Sequence, residues 1–351
     1  MATIRDVAAK AGVNPSTVSR VFSGKAKISV QTQQRVMNAA EVLGFQPNAI
    51  ARSLSVRRTN TIAVVVPHIY DGYFDDSFFP QMMRGLLQAA YPLDYRVLVG
   101  GSDSHADVIT QTFQILRSHQ ADGIVVASSR LDVDTVGALV AQGVPFVLIG
   151  KPPAHYADVT WVDADNESCT AHVVTHFIQQ GHRRIAFVGG DPDVAVTRER
   201  LRGYQQAMAA AGLHRCEQWI DYGYFAEAGG YKAVERMLPL GADAPTAYYA
   251  ANDLMAVGIL RALREHNIAV PQQVSVIGTN DSAEATHVVP ALSTLRVPYA
   301  AMAATAATLL IDAILADEAV PPVQEVLSCT LIERQSSGPV ATHLNGSTQS
   351  S

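Results

Sequence analysis

The stretch TIRDVAAKAGVNPSTVSRVF, residues 3–22, decides how the chain is read. Thr3 is placed to cap a first helix, and Asp6 stands three residues on, where its carboxylate faces free backbone N–H groups. Ile4, Val7 and Ala8 share one face at helical spacing. Gly12 is the breaker that turns the chain sharply. Asn14 is a second cap, and Pro15 takes the first helical position, where its missing N–H costs nothing. Val18 and Val21 then face inward, and Ser16, Thr17, Ser19 and Arg20 occupy the other face. The pattern predicts a helix-turn-helix whose second helix carries groups suited to base edges and phosphates in a major groove. An ordinary amphipathic helical hairpin is the plain alternative.

A third helix is predicted from about Thr32 to Leu43, with Val36, Ala39, Ala40 and Leu43 as its stripe and Gly44 as its end. The loop before it, SGKAKIS (23–29), holds Lys25, Lys27 and Ser29. FQPNAIARSLSVRRTN (45–60) follows. Pro47 stops the head, and Asn48 can cap a short helix over about Ala49–Ser55 with Ile50 and Leu54 on one side. Alone in water so short a helix is unstable.

These residues resemble the headpiece of the lactose-repressor/galactose-repressor (LacI/GalR) transcription regulators, and the resemblance extends to about Arg334. It implies DNA contacts from Thr3, Pro15, Ser16, Thr17, Ser19, Arg20, Lys27 and Ser29, with Pro15, Ser16 and Arg20 setting sequence preference. It also implies that Asn48, Ala51, Arg52 and Leu54 form a hinge helix that folds only on DNA, packed against that of a second chain. Leu54 would wedge into a minor-groove step, with Arg52, Arg57 and Arg58 near phosphates. Solvated loop residues and a plain basic linker are the alternatives for the lysines and the hinge.

Charge supports a divided molecule. Residues 1–58 carry nine Lys and Arg against Asp6 and Glu41, a net +7, which leaves −13 for the rest of a chain whose total is −6. A basic head on an acidic body fits a polyanion-binding module joined to a body that does not bind polyanions. The chain has 351 residues, 48% hydrophobic and 17% charged, enough for two or three compact units with a large core. Cys169, Cys216 and Cys329 are far apart in sequence and odd in number, so they show no disulfide or metal framework and read as buried small hydrophobes in a reducing cytosol. No signal peptide opens the chain and no run of 18 apolar residues spans a membrane. The expected location is therefore the cytoplasm, with the nucleoid when on DNA.

From Thr61 the text alternates. Strands are predicted at 61–67, 95–100, 123–128 and 145–150, with helices at about 78–91, 106–118 and 133–142 between them. After WVDADN (161–166) the rhythm restarts: helix 167–180, strand 183–190, helices 197–211 and 227–238, strand 246–250, helix 252–266, strand 274–278. Such order makes two doubly wound parallel sheets with helices on both faces, and their ligands bind beyond the carboxyl ends of the strands. The fold class is α/β: a small all-α helix-turn-helix head plus a body resembling periplasmic sugar-binding proteins. Expected domains are 1–46 (head), 47–58 (hinge) and 59–336 (body), with a disordered tail at 337–351. Within the body, one subdomain holds about 60–160 and 291–322, the other about 161–290 and 323–336. The resemblance implies three crossings, expected near 158–163, 288–292 and 321–325. The tail lacks leucine heptads, so a homodimer is expected.

Several strand-end motifs resemble the family's effector contacts. VTRERLRGY (196–204) points to Arg200, whose planar fork of donors suits paired hydroxyls or a carboxylate, with Arg198 and Arg202 as competitors. GYFAEAGGY (223–231) offers Phe225 as a ring over the ligand, against a core role. AANDLMAVG (250–258) offers Asn252, whose amide both donates and accepts, with Asp253 as a helix cap. VIGTNDSAEA (276–285) departs from the family, which commonly has aspartate where this chain has Asn280; either Asp281 takes over or the ligand chemistry differs. In the first half, GYFDDSFFPQMMRGL (72–86) offers Asp76 and Phe78, with Phe79 inside, and Lys151 follows a strand end.

The expectation is a non-enzymatic, ligand-responsive DNA-binding regulator. It would repress carbohydrate-use genes from double-stranded operator DNA and be released by a mono- or disaccharide, nearest to members that sense maltose-like or other glucosides. A corepressor-type member answering to a purine or a phosphorylated partner protein is the first alternative, and a sugar-binding receptor or sugar-processing enzyme the second. No phosphate loop, zinc pattern or nucleophile elbow is present, and no cofactor or metal is expected. His172, His176 and His182 read as ordinary residues.

Overall fold

The computed structural model describes residues 2–23, 28–45, 58–66, 77–101, 105–127, 133–156, 158–213 and 216–340. Lys27, Asn48, Ala51, Arg52, Leu54 and Asp76 lie outside these residues, as do Lys25 and Arg57.

The head is three helices: α1 (Ile4–Ala11), α2 (Pro15–Ser23) and α3 (Val30–Val42). A capping box opens α1, with Asp6 N donating to Thr3 Oγ1 at 3.4 Å and Thr3 N donating to the Asp6 carboxylate at 2.8 Å. Gly12 ends it at φ 63°, a left-handed turn that costs glycine little, and its N–H returns to the carbonyls of Ala8 and Ala9. Asn14 Oδ1 accepts from Ser16 N at 3.1 Å, as a second cap should. Val7, Ala8, Ala11, Val18, Val36, Ala39 and Ala40 form the core, and Phe22 closes one side against Phe45 with ring centroids 5.7 Å apart. Ile4, expected on that apolar face, is exposed at its rim. α3 begins two residues before its predicted start because Ser29 caps it, accepting from Thr32 N at 3.3 Å.

The body has two six-stranded sheets wound alike. The first contains β1 (Thr61–Val66), β2 (Arg96–Gly101), β3 (Gly123–Ala127), β4 (Phe146–Ile149), β5 (Trp161–Ala164) and β11 (Gln324–Leu327), ordered β2-β1-β3-β4-β5-β11 and all parallel. Helices α4 (Phe78–Ala90), α5 (His105–Arg117), α6 (Val133–Gln142) and α12 (Tyr299–Leu315) accompany it. The second contains β6 (Ile185–Gly189), β7 (Ile220–Tyr222), β8 (Ala247–Ala250), β9 (Ser275–Thr279), β10 (Ser293–Arg296) and β12 (Thr330–Ile332), ordered β7-β6-β8-β9-β10-β12 with only β12 antiparallel. Its helices are α7 (Asn166–Gln179), α8 (Ala195–Ala210), α9 (Glu227–Met237), α10 (Asp253–Glu265) and the short α11 (Glu284–His287). β3, β6, β8 and β9 are buried along their whole length, which is why they read as unbroken apolar runs. β7 is only three half-buried residues and carries no such run, so the rhythm missed it.

All three crossings fall later than expected. Trp161–Ala164 pairs with β4 of the first sheet, so the first crossing comes after Ala164, not near 158–163. Ser293–Arg296 pairs with β9, so the second comes after Arg296, not near 288–292. Gln324–Leu327 pairs with β5 and Thr330–Ile332 with β10, which moves the third to Ser328–Cys329 from 321–325. The cause is common: the strand before each crossing, β5, β10 or β11, is only four residues long, too short to stand out as an apolar run.

Two expectations at the ends of the body also change. Arg58, expected near phosphates, donates to the carbonyl of Ile314 at 3.0 Å, and the Asp122 carboxylate accepts from Thr59 N and Asn60 N at 2.7 and 2.8 Å, fastening the linker to the first subdomain. The first residues of the expected disordered tail are ordered against the second sheet. His182, 1% exposed, bonds Thr246 Oγ1, Ser275 Oγ and Gly338 O at 3.0–3.1 Å, and Val340 N donates to Gln180 O. Burial holds the imidazole pKa below its usual value, in keeping with a neutral structural anchor.

Candidate functional site

The head presents one polar face. On α2, Pro15, Ser16, Ser19 and Arg20 are exposed and Thr17 is half-buried, while Val18 is fully buried beneath them. The turn at Gly12 sets this helix across α1, and the Asn14 cap fixes where it starts. Thr3 is spent on the capping box, and Ser29 donates to Thr32 Oγ1 at 2.9 Å while capping α3. Both positions therefore shape helix ends, and phosphates near them would meet helix N-termini.

The second site lies where the two halves of the body meet, at the carboxyl ends of strands, as doubly wound sheets require. Arg200 is its centre. It rises from α8, is 3% exposed, and donates from Nη1 to Ala251 O at 2.6 Å and from Nη2 to Tyr299 Oη at 3.4 Å. Its Nε has no partner among the described residues. Tyr299 opens α12 in the first subdomain. Its hydroxyl donates to Asn280 Oδ1 at 2.9 Å, and its ring meets Phe78 edge-on with centroids 4.8 Å apart. Gln81 Nε2 reaches Asn280 O at 3.4 Å. Gln81 and Tyr299 of one half thus meet Arg200 and Asn280 of the other, with Phe78 packed on the Tyr299 ring.

Asn280 is held for this purpose: it sits at φ 109°, buried, with its N–H on Leu295 O at 2.9 Å. Asp281 is committed elsewhere. Its carboxylate is clamped by Arg296 at 2.6–2.7 Å and by Arg334 at 2.5 Å. Burial pushes its pKa up, but the hydrogen bonds from the two arginines outweigh that and leave it lowered. The idea that Asp281 replaces the family's aspartate in the cleft therefore loses support, because both oxygens hold the β10–β12 edge.

The cap of α10 falls to Asn252, not to Asp253 as expected. Asn252 is the N-cap of α10, accepting from Met255 N at 2.9 Å and donating to Phe225 O at 2.8 Å. Asp253 does not cap; it accepts from Ser282 N at 2.7 Å and Thr294 Oγ1 at 2.6 Å, steadying the loop after β9. Phe225 stands at φ 61°, half-buried, with its ring laid over Gly190, where a Cβ would come within 1.9 Å of the ring. The bare glycine at the end of β6 is what lets the ring lie across that strand end.

Lys151 lies at the edge, half-exposed, with Nζ 4.0 Å from Glu199 Oε1. Beneath it is a buried acidic pair missing from the sequence reading. Asp163 ends β5 in the first half and Glu199 lies on α8 in the second, each 8% exposed. Asn166 Nδ2 bridges them, 3.4 Å from Asp163 Oδ1 and 3.0 Å from Glu199 Oε2. Burial first, and the neighbouring Glu199 charge second, raise the Asp163 pKa to about 6. Tyr299 and Gln81 were missed as well. The only signal for Tyr299 was its place after Pro298, at the start of a helix that returns to the first half. Arg198, a competitor for the cleft, is exposed and bonds the carbonyls of Pro192 and Asp193, and Arg202 pairs with Glu167 at 3.0 Å on the surface. Among the described residues no group of three His, Cys, Asp or Glu side chains stands ready for a metal, and no helix is long and apolar enough to cross a membrane.

A three-helix reading head joined to two doubly wound halves with a polar seam between them defines a ligand-linked DNA-binding regulator. Residues 3–48 match the family of bacterial regulatory proteins, lacI family, and residues 174–337 match the periplasmic binding protein-like domain. The HTH-type transcriptional regulator CelR of Thermobifida fusca is 34% identical over 335 residues, covering 95% of this chain and 98% of CelR. A solved CelR–cellobiose complex superposes with a TM-score of 0.74 at 33% identity, over 96% of this chain and all of that one. The lac repressor dimer bound to operator and the anti-inducer ONPF shares the fold, with a TM-score of 0.84 at 24% identity over 96% of this chain and 99% of that one. The chain belongs to the LacI/GalR family of helix-turn-helix transcription regulators.

Proposed function

We propose that this regulator is a dimeric repressor of carbohydrate-use genes whose operator affinity is lowered by a glucoside bound between the two halves of the body. One observation carries the reading: Arg200, a buried guanidinium always charged at ordinary pH, bonds the Ala251 carbonyl and the Tyr299 phenol but has an unsatisfied Nε among the described residues. A buried donor left unpaired costs about 1–3 kcal/mol, so a ligand oxygen is strongly favoured there. Sugar hydroxyls supply such oxygens, and the Phe225 ring supplies a flat apolar wall for the C–H face of a pyranose. CelR, whose solved complex holds cellobiose, supports a glucoside over a purine.

In this reading Pro15, Ser16 and Arg20 read base edges from the exposed face of α2, Lys27 contacts the backbone, and the 47–58 segment forms the paired hinge helices with Leu54 as the wedge. Two heads bind two half-sites of a near-palindromic operator, as a two-fold dimer demands. Phe78, Arg200, Phe225 and Asn280 hold the sugar, with Lys151 and Asp76 at the mouth; Asn252 positions Phe225 from behind. The sugar replaces the Arg200–Tyr299–Asn280 bonds and so changes the angle between the halves. By linkage it must bind the DNA-incompetent form more tightly. The protein acts in the cytoplasm and turns over no substrate.

The test is a melting screen of the purified protein against cellobiose, maltose, monosaccharides, sugar phosphates and purines, since a ligand of the native state raises the midpoint. The hit then enters a DNA mobility-shift assay. A glucoside that raises the midpoint and releases DNA supports the reading. A purine that tightens DNA binding, or a sugar consumed during incubation, replaces it with a corepressor or an enzyme.

A further inference from the structure

The cysteines, far apart in sequence, are not far apart in the fold. Cys169 lies in the first turn of α7, just beyond the first crossing, and Cys329 lies in the third crossing between β11 and β12. Cys329 N donates to Cys169 Sγ at 3.2 Å, which brings the two residues side by side. Both are free thiols; Cys169 is buried and Cys329 half-buried, which leaves a small oxidant a route to the pair. The guanidinium of Arg200 acts electrostatically on both sulfurs.

We propose that Cys169 and Cys329 are a modification site: a dithiol that a peroxide closes into a reversible disulfide, clamping the third crossing to the first helix of the second half. Hinge motion is absorbed by a few backbone torsions at crossings, so a covalent tie at Cys329 removes freedom where the body bends.

The chemistry is that of a thiolate beside a resolving thiol. The neighbouring Cys329 thiol favours the Cys169 thiolate most; burial and the Asp165 carboxylate oppose it, and the Cys329 N–H and, last, the Arg200 charge assist it, so its pKa is lowered on balance. The Cys169 thiolate attacks one peroxide oxygen, the O–O bond breaks, and the leaving hydroxide takes a proton to become water. The Cys329 sulfur then attacks the sulfenic sulfur, the S–O bond breaks, and the departing hydroxide takes the Cys329 proton as a second water. Two thiols lose two electrons in all, and the peroxide gains them.

The experiment uses the full chain, reduced, treated with hydrogen peroxide, quenched with an alkylating agent and digested with trypsin without reductant. Arg183, Arg215, Arg296 and Arg334 place the three cysteines in separate peptides. The expected product is a peptide linking Cys169 to Cys329 within one chain, lost on adding dithiothreitol, absent in C169S and in C329S, and present in C216S. Hydrogen exchange of the oxidised protein should show slowed amides across 325–332. Sulfinic or sulfonic acid at either cysteine without a linked peptide would overturn the site, as would a link running through Cys216. A 169–329 link with unchanged exchange at the crossing would overturn the clamp. Neither readout depends on which sugar, if any, the cleft takes.

Discussion

The face of α2 and the wall of the cleft handle their polar groups in opposite ways. On α2, Ser16, Ser19 and Arg20 stand exposed over a buried Val18. In the cleft, polar groups are already bonded to protein: Arg200 to Ala251 and Tyr299, Tyr299 to Asn280, Asn280 to Gln81. A surface that meets a long polyanion can hold its polar groups at the solvent boundary, Ser16 on its Asn14 cap among them, and exchange their partners at the interface. A seam between two domains keeps most of its donors paired, because leaving them unpaired when buried is costly, and the Arg200 Nε is the exception that awaits a ligand oxygen. The lesson is that the cleft works as a latch made of the same groups that hold ligand, so ligand and latch compete.

Four tests, with five substitutions in all, probe that contrast from the largest effect to the smallest. Arg200→Ala should weaken sugar binding by roughly 100-fold, since two hydrogen bonds from a charged donor are lost, and should still bind operator, with basal affinity shifted only as far as the loss of its bond to Tyr299 shifts it. Calorimetry and a mobility shift read the two arms; a mutant that still responds at wild-type sugar concentrations breaks the assignment. Arg20→Ala should cost about 1–3 kcal/mol of discrimination at one base pair, and Leu54→Ala should weaken operator binding far more than non-specific binding. Equal loss on both kinds of DNA in a filter-binding titration would remove either residue from sequence reading.

Tyr299→Phe keeps the ring against Phe78 but deletes the hydroxyl that joins Arg200 to Asn280. One hydrogen bond is worth about 0.5–1.5 kcal/mol, so the halves should open more easily and sugar should bind several-fold differently with DNA binding shifted in step. An effect on sugar with none on DNA would mean that the seam is not a latch.

The fourth concerns pH. Asp163 has a folded pKa of about 6 against an unfolded value near 3.8, so the fold takes up a proton in that window. The associated stability is fully present below the unfolded value and is lost as pH rises through about 6, an effect of order 1–3 kcal/mol. Asp281, with its lowered pKa, acts in the opposite sense, its stability lost as pH falls. The clean measurement is therefore the difference between wild type and Asp163→Asn in denaturant midpoints across pH 4–7. The wild type should lose stability relative to the mutant as pH rises; a flat difference would show that burial and the Glu199 charge do not raise the Asp163 pKa in the fold.

The parts of this molecule that the sequence announced are those where one chemical need dominates. Residues 3–22 carry caps, breaker and stripe in order, and the structure has each of them. The buried strands read as apolar runs because both faces are covered. Arg200 was found because its motif resembles the family's. Tyr299, Gln81 and the Asp163–Glu199 pair were missed because their roles exist only across the two halves, at long sequence distance. The same holds for the Cys169–Cys329 pair, 160 residues apart in the chain. The cap of α10 went to Asn252 rather than Asp253 because adjacent polar residues at a helix start compete for one cap, and composition does not say which side chain wins.

The most direct test of the latch is calorimetric titration of cellobiose into the full chain, alone and saturated with a duplex selected by the protein in vitro. The account predicts that the duplex weakens cellobiose binding, and that cellobiose weakens duplex binding by the same factor, as linkage requires. Cellobiose affinity unchanged by the duplex, with the sugar plainly bound in the cleft, would contradict it.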